Sequence, residues 1–276
     1  MNPKLGFMQG RLTPMNNGII QEFPKANWER EFVEASQVGI RLLEWTIDRD
    51  QIFENPLMTK QGREKILELK NRTNIRIESL TADCCMQVPF WKLKSAADRS
   101  AEIEIFRTLI ECCSEVGIRT IVLPLVDNGS IQNKENKKIL KSTFEELTEL
   151  LQNKNIKIAC ETDMGPDEVN GLLNYFSSSE VGINYDLGNS AALGFCAYDE
   201  WEAYGKHIIN IHIKDRLRGG STVRLGHGDV NFPMVRECYN DHGYEGNWIL
   251  QTARSDTEAD LSELMINYNF SQSNLL

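Results

Sequence analysis

Short apolar segments alternate with longer amphipathic segments along the whole chain. Eight segments of five to seven residues are almost continuously apolar and rich in β-branched side chains. They are residues 5–9, 42–47, 75–80, 120–126, 156–162, 182–186, 208–213 and 248–252. Continuous apolar character, rather than strict alternation, is typical of parallel strands buried on both faces. The pattern therefore predicts eight buried parallel strands.

The segments between these strands carry apolar residues at helical spacing. Ile103, Phe106, Ile110 and Cys113 recur every three or four residues, and Gly117 follows as a C-cap. Similar patterns predict helices over residues 28–38 and 60–71 and around the stripe Leu140, Phe144, Leu147 and Leu151. Ser255 and Glu258 have the spacing of a capping box that opens the last helix.

Eight strand–helix alternations in 276 residues predict an α/β fold, a (β/α)8 TIM barrel forming a single domain over residues 1–276. The main alternative is an open doubly wound sheet. Such a sheet usually has a glycine-rich turn after its first strand, with the pattern GxGxxG. Here the first strand runs into Met8-Gln9-Gly10-Arg11, which lacks that pattern and favours the barrel.

Composition narrows the class of protein. The formal net charge is −10, and an acidic surface disfavours nucleic acid as a partner. The sequence has no apolar run that could span a membrane and no signal-peptide core near Met1. Its seven cysteines have no regular spacing, which indicates unbridged thiols in a reducing compartment. We therefore expect a cytoplasmic protein without membrane or nucleic-acid partners.

Four polar residues lie at the ends of the last four predicted strands. Glu161, Asp186, His212 and Gln251 would all point into one mouth of a barrel. His212 alone could be a hydrogen-bonded core histidine, but a buried carboxylate is costly unless it is paired or binds a metal. Together the four residues predict a site for one divalent ion, Mn²⁺, Mg²⁺, Co²⁺ or Zn²⁺, and the spacing does not choose among them.

Further residues near the strand ends are candidate substrate contacts. Residues 214–224, after the seventh strand, are locally basic and rich in glycine. Loops at this place often bind phosphate in TIM barrels, so Arg216 and Arg224 are candidate contacts for a phosphate or a sugar acid; the alternative is an ordinary solvated loop. Asn189 and His227 are further candidates, and Glu44 either contacts substrate or supports the site.

Four motifs resemble those of the xylose-isomerase-like TIM-barrel superfamily of sugar and sugar-phosphate isomerases and epimerases. They are Glu161-Thr162, residues 185–189 (YDLGN), residues 211–215 (IHIKD) and residues 225–232 (LGHGDVNF). The resemblance covers nearly the whole chain. It implies one divalent metal held by Glu161, Asp186, His212 and a fourth residue, which is glutamate in the family and Gln251 here.

The glutamine affects the mechanism that the resemblance implies. In the family's epimerases the first and last glutamates are a pair of bases, whereas Gln251 offers an amide oxygen to a metal but accepts no proton near neutral pH. Aldose–ketose isomerisation through an enediolate needs only one base, Glu161. Alternatively, Lys214, His227 or Asp83 supplies the second base. We expect catalysis to involve Glu161 and Lys214.

The expected activity is therefore that of a sugar or sugar-phosphate isomerase or epimerase with a small-molecule substrate. Because barrels of this kind often associate, a homo-oligomer is a further expectation. The alternatives are a keto-cyclitol dehydratase on the same scaffold and a barrel that binds sugar without turning it over. The superfamily also contains abasic-site endonucleases. Their three-metal cluster needs more histidines than the four in this chain, which disfavours that activity.

Overall fold

The computed structural model describes residues 1–15, 21–254 and 260–276, and the predicted capping box at Ser255 and Glu258 lies outside these residues. Eight parallel strands close into one barrel. They are β1 (Leu5–Met8), β2 (Leu42–Thr46), β3 (Arg76–Thr81), β4 (Thr120–Leu125), β5 (Lys157–Thr162), β6 (Val181–Asp186), β7 (Ile208–Ile213) and β10 (Asn247–Leu250). Around the barrel they follow the order β1-β10-β7-β6-β5-β4-β3-β2. The predicted TIM barrel is confirmed.

Helices fill the connections between the strands and pack around the barrel. The described helices are α1 (Trp28–Gln37), α2 (Lys60–Thr73), α3 (Asp83–Gln87), α4 (Ala96–Val116), α5 (Lys134–Lys154), α6 (Pro166–Phe176), α7 (Leu187–Leu193), α8 (Ala197–Tyr204), α9 (Phe232–His242) and α10 (Asp260–Asn274). Helix α4 ends at Val116, and the C-cap that follows is Gly117, whose φ of 89° suits glycine. Among the described helices, none has the length and apolar character needed to cross a membrane.

The two faces of the barrel strands have different compositions. Phe7, Leu43 and Leu250 belong to the large apolar cluster that joins the strands to the helices. Their neighbours Met8, Leu42 and Ile249 form a separate small cluster. Because successive strand residues point to opposite faces, this second cluster lies inside the barrel. Towards the carboxyl ends of the strands, the interior positions become polar.

A short hairpin follows the seventh barrel strand, and the strand pattern did not predict it. It pairs β8 (Asp215–Arg216) with β9 (Thr222–Val223). The buried carboxylate of Asp215 accepts hydrogen bonds from the backbone amides of Gly226, Gly228 and Val230 at 2.8, 2.9 and 3.2 Å. A Cβ at position 228 would lie 2.1 Å from Asp215 Oδ1, so only glycine permits this close approach.

Truncating a core side chain tests the packing of helices against the barrel. Phe144 of α5 is 1% exposed and its ring packs edge-on against Phe176, with 4.9 Å between the ring centroids. We expect Phe144→Ala to lower the free energy of unfolding by about 4 kcal/mol, because it removes buried apolar surface and leaves a cavity. Thermal denaturation should show a midpoint lower by about 10 °C.

The control for this prediction is Phe53→Ala. Phe53 is 60% exposed, so its truncation should change the unfolding free energy by less than about 0.5 kcal/mol. Equal losses of stability in the two variants would contradict the assigned packing of α5.

Candidate metal centre and substrate cavity

Three of the predicted metal ligands meet at the carboxyl ends of adjacent strands. Glu161, Asp186 and His212 lie on β5, β6 and β7, and Asp186 is in register with His212. All three are buried, and one potential ligand atom from each lies within 4.8 Å of the others. Two carboxylates and one imidazole at this separation fit a single divalent ion.

Glu161 is held by two asparagine side chains. Its Oε1 accepts a hydrogen bond from Asn189 Nδ2, and its Oε2 accepts one from Asn184 Nδ2, both at 2.8 Å. Burial raises the pKa of Glu161, but the hydrogen bond and charge of His212 outweigh burial, so the pKa lies below its ordinary value. Glu161 is therefore ionised at neutral pH, as both a metal ligand and a base require.

His212 lies between two carboxylates. Its Nε2 is 2.7 Å from Glu44 Oε1, and its Nδ1 is 3.3 Å from Glu161 Oε2. Burial lowers the pKa of His212, but the Glu44 and Glu161 carboxylates outweigh burial and raise it to about 10. When Nε2–H donates to Glu44, Nδ1 faces the three-residue cluster. Metal-binding histidines commonly have this arrangement, with a carboxylate on the other ring nitrogen.

Glu44 is fully buried beneath His212. It accepts hydrogen bonds from Ser79 Oγ at 2.6 Å, Thr81 Oγ1 at 2.8 Å and Asn210 Nδ2 at 3.0 Å. Each of its oxygens therefore has more than one partner. Its contact with His212 is what support of the site requires, and both predicted roles of Glu44 stay predictions.

Lys214 connects Asp186 with Gln251. The ammonium nitrogen is 3.4 Å from Asp186 Oδ2 and 3.3 Å from Gln251 Oε1. Gln251 Nε2 donates to Gln21 Oε1 at 2.8 Å, and Gln21 Nε2 donates to Asp83 Oδ2 at 2.6 Å. The oxygen of Gln251 thus faces a cation already, and its role as a metal ligand stays a prediction.

A cavity of about 260 Å³ opens above these residues. Its lining includes the predicted residues Glu161, Asn189, Lys214, Arg216 and Gln251. Arg216 is engaged within the protein: Nη1 donates to Asn189 Oδ1, and Nε and Nη2 donate to the carbonyl oxygen of Gly220. The size of the cavity suits a small polar molecule.

Two predicted substrate contacts do not line this cavity. Arg224 pairs with Glu263 at 3.0 Å, with its side chain 66% exposed, and His227 is exposed. The reason is the folding of the loop around Asp215, whose hydrogen bonds to the amides of residues 226, 228 and 230 fix its path. A substrate role for Arg224 or His227 stays a prediction.

Several residues of the site were not predicted from the sequence. Asn184 and Asn210 lie two residues before Asp186 and His212, so period-two alternation places them on the same strand face. That spacing could have identified them. Arg11 and Gln21, in contrast, lie between β1 and α1, where the sequence has no periodic pattern to indicate which side chains enter the cavity.

The comparisons with known proteins agree with this fold. The family described as xylose isomerase-like TIM barrel matches residues 32–267. The chain therefore belongs to this family, as the motifs predicted. An L-ribulose-5-phosphate 3-epimerase, UlaE of Escherichia coli O1:K1 / APEC, is 24% identical over 245 residues, which are 86% of each chain.

Solved structures share the architecture at lower identity. D-allulose 3-epimerase from Methylomonas sp., in complex with D-allulose, is 14% identical, with a TM-score of 0.76 over 98% of this chain and 96% of that chain. The IolI protein with a bound zinc atom is 17% identical, with a TM-score of 0.76 over 99% of each chain. These likenesses establish the shared fold.

Removing the charge of Glu44 tests its support of His212. In Glu44→Gln the new amide group would face donors such as Ser79 Oγ and Asn210 Nδ2, so the His212 ring loses its fixed orientation. We expect Mn²⁺ affinity, measured by isothermal titration calorimetry, to fall about 10–100-fold.

The matched control is Glu146→Gln, because the side chain of Glu146 is 57% exposed and pairs with Arg107 on the surface. It should bind Mn²⁺ as the unmodified protein does. An unchanged affinity in Glu44→Gln, with the fold intact by circular dichroism, would rule out this role.

Proposed function

We propose that this protein is a divalent-metal-dependent sugar or sugar-phosphate isomerase or epimerase, which works through an enediolate formed beside a carbonyl group. The observation that carries the proposal is the buried cluster of Glu161, Asp186 and His212 at the edge of a small polar cavity. The epimerase names of the relatives support the same class.

Glu161, Asp186 and His212 would hold the ion, and the proposed fourth ligand is the oxygen of Gln251, which lies 3.3 Å from Lys214 Nζ. A bound divalent ion would polarise the substrate carbonyl and stabilise the enediolate oxygens. Mn²⁺, Mg²⁺, Co²⁺ and Zn²⁺ all suit these ligands, and a zinc atom is bound in the structurally similar IolI protein.

Glu161 is the proposed base. It lines the cavity, its pKa is lowered, and two asparagine amides fix the directions of its oxygens. A carboxylate held in this way can take the proton on the carbon next to the substrate carbonyl and return it. Lys214 also lines the cavity, where its ammonium can stabilise negative charge on a substrate oxygen.

Epimerisation needs a second acid–base group, which Gln251 cannot supply. Of the three alternatives, Lys214 and Asp83 line the cavity and His227 does not. Asp83 is 5% exposed, and the Gln21 amide holds one of its oxygens. Burial raises the pKa of Asp83 to about 7, although the Gln21 hydrogen bond favours the ionised form. We propose Asp83 as the second acid–base group.

Further proposals concern the cellular compartment, the class of substrate and the oligomeric state of the protein. All seven cysteines are unbridged, which supports a reducing compartment such as the cytoplasm. The net charge of −10 supports a small-molecule substrate rather than nucleic acid. Association into a homo-oligomer stays a proposal, for which analytical ultracentrifugation is the direct measurement.

The activity can be tested with L-ribulose 5-phosphate and D-allulose as probes. Metal-stripped protein is supplied with each of the four ions in deuterated water, and carbon-bound deuterium and products are followed by NMR. Deuterium incorporation with formation of an epimer or aldose supports the proposal. Loss of water from a keto-cyclitol probe would instead identify a dehydratase. Sugar binding without exchange under every ion would identify a non-catalytic barrel.

Replacing the proposed base should stop turnover. We expect Glu161→Gln to lower the exchange rate of the carbon-bound proton by about 10²–10⁴-fold at saturating metal, because glutamine cannot accept the proton. The fold should survive, with a thermal midpoint close to that of the unmodified protein. Glu145→Gln, on the surface beside Lys141, is the control. Undiminished exchange in Glu161→Gln with metal bound would eliminate Glu161 as the base.

The pH profile tests Asp83. In a two-base reaction the two acid–base groups of the active enzyme share one proton. When Glu161 is ionised, that proton is on Asp83. Raising the pH through about 7 removes that proton, so kcat/KM should fall about tenfold per pH unit above 7 in both reaction directions. Asp83→Asn should lower turnover by about 10²–10⁴-fold.

Asp127→Asn is the matched control for Asp83→Asn. Asp127 also lines the cavity, and its φ of 50° is one that asparagine adopts readily. This variant should keep both the rate and the pH profile. A flat profile from about pH 6 to 9 in the unmodified enzyme, or full turnover in Asp83→Asn, would exclude Asp83 as the second acid–base group.

A further inference from the structure

Arg11, in the loop after β1, has an unusual environment for a cationic side chain. It is only 5% exposed, yet it lines the cavity that contains Glu161. Its Nε and Nη1 atoms are buried and have no hydrogen-bond partner in the described parts of the chain. Burying a guanidinium without such partners is unfavourable, because the group loses its hydration, and binding of an anion would compensate for that loss.

The backbone around Arg11 is fixed on both sides. The Glu31 carboxylate, on α1, is fully buried and accepts hydrogen bonds from Gly10 N at 2.8 Å and from Leu12 N at 2.9 Å. These bonds hold the residues before and after Arg11. They leave the Glu31 oxygens occupied by backbone amides, with no hydrogen bond to the guanidinium.

The electrostatic surroundings of Arg11 favour an added negative charge. Burial, together with the nearby charge of Arg254, lowers the pKa of Arg11 to about 9, and these effects outweigh the opposing carboxylates of Glu31, Asp83 and Glu44. The group still carries its proton at neutral pH. An anion would supply the solvation that burial has removed and would offset the repulsion from Arg254, so the site is prepared for an anion before one binds.

Three other cationic side chains, all within residues 214–224, already have partners. Arg216 donates to Asn189 and Gly220, and Lys214 contacts Asp186 and Gln251. Arg224 pairs with Glu263 outside the cavity. Among the cations that line the cavity, within residues 1–15, 21–254 and 260–276, Arg11 is therefore the one whose buried nitrogens have no hydrogen-bond partner.

We propose that Arg11 binds an oxyanion of the substrate, either a phosphate ester or a carboxylate. Strand β1 lies four strands from β5 in the eight-strand order, so Arg11 enters the cavity from the side opposite Glu161. The anionic end of a substrate would therefore contact Arg11, and its carbonyl end would lie near Glu161. This orientation rests on the proposed function; the anion site itself does not.

The experiment uses metal-stripped protein, so that anions cannot bind through an ion. Inorganic phosphate and acetate are titrated by isothermal titration calorimetry into the unmodified protein and into Arg11→Met and Arg11→Lys. We expect phosphate or acetate to bind to the unmodified protein at one site. Affinity should fall about tenfold or more in Arg11→Met and by less in Arg11→Lys, which keeps the charge but loses the planar fork.

Arg72→Met is the matched control, since it removes an exposed arginine that pairs with Glu68 on the surface of α2, and it should leave affinity unchanged. Folding of each variant is checked by thermal denaturation. NMR of the unmodified protein gives a second readout: the arginine Nε–H resonance that is missing from Arg11→Lys should shift on addition of the anion. This readout keeps the test decisive if Arg11→Met does not fold.

The two anions distinguish the two candidate groups of the substrate, a phosphate ester and a carboxylate. Binding of phosphate without acetate indicates a phosphorylated sugar, and binding of acetate indicates a sugar acid. Absence of binding by both, unchanged affinity in Arg11→Met, or an unshifted Arg11 resonance would overturn the proposal. Turnover of D-allulose by a protein that binds neither anion would overturn the anion site and leave the proposed isomerase or epimerase function intact.

Discussion

Charges buried inside a closed barrel must stabilise one another, and the whole site depends on this constraint. His212 lies between Glu44 and Glu161, and Lys214 lies beside Asp186. None of these groups could be buried alone, because desolvation of an isolated ion is too costly. The carboxylate oxygens of Glu44 and Glu161 also accept hydrogen bonds from nearby hydroxyl and amide groups. These groups belong to Ser79, Thr81, Asn184 and Asn210. The interior is therefore arranged before a ligand arrives, which favours catalysis by preorganised groups.

Glutamine at position 251 has a structural consequence beyond the loss of a base. A carboxylate only accepts hydrogen bonds, whereas an amide both accepts and donates. Gln251 accepts from Lys214 and donates to Gln21, which leaves the Gln21 amide nitrogen to donate to Asp83. A glutamate here would require Gln21 to turn over and present its oxygen to Asp83. The substitution thus fits a site in which Asp83 can be ionised.

Arginines near the cavity differ in whether their guanidinium groups have hydrogen-bond partners within the protein. The loop after β7 is rich in arginine and glycine, but Asp215 organises it through backbone amides, and Arg216 and Arg224 are engaged within the protein. The loop after β1 has one arginine and no recognisable motif. The Glu31 carboxylate accepts hydrogen bonds from the backbone amides on both sides of Arg11 and not from its guanidinium. The buried Nε and Nη1 atoms of Arg11 therefore have no hydrogen-bond partner in the described residues.

The sequence by itself determined the barrel and the cluster of Glu161, Asp186 and His212. Continuous apolar strands have few alternative arrangements, and the carboxyl ends of parallel strands converge at one mouth. Only the tertiary structure decided which polar groups meet. Glu44 contacts His212 across 168 residues, and Gln21 contacts Gln251 across 230. Such pairs depend on barrel closure and loop path, which local periodicity does not encode. The entry of Arg11 into the cavity depends on the same two features, so it too could not be predicted from the sequence.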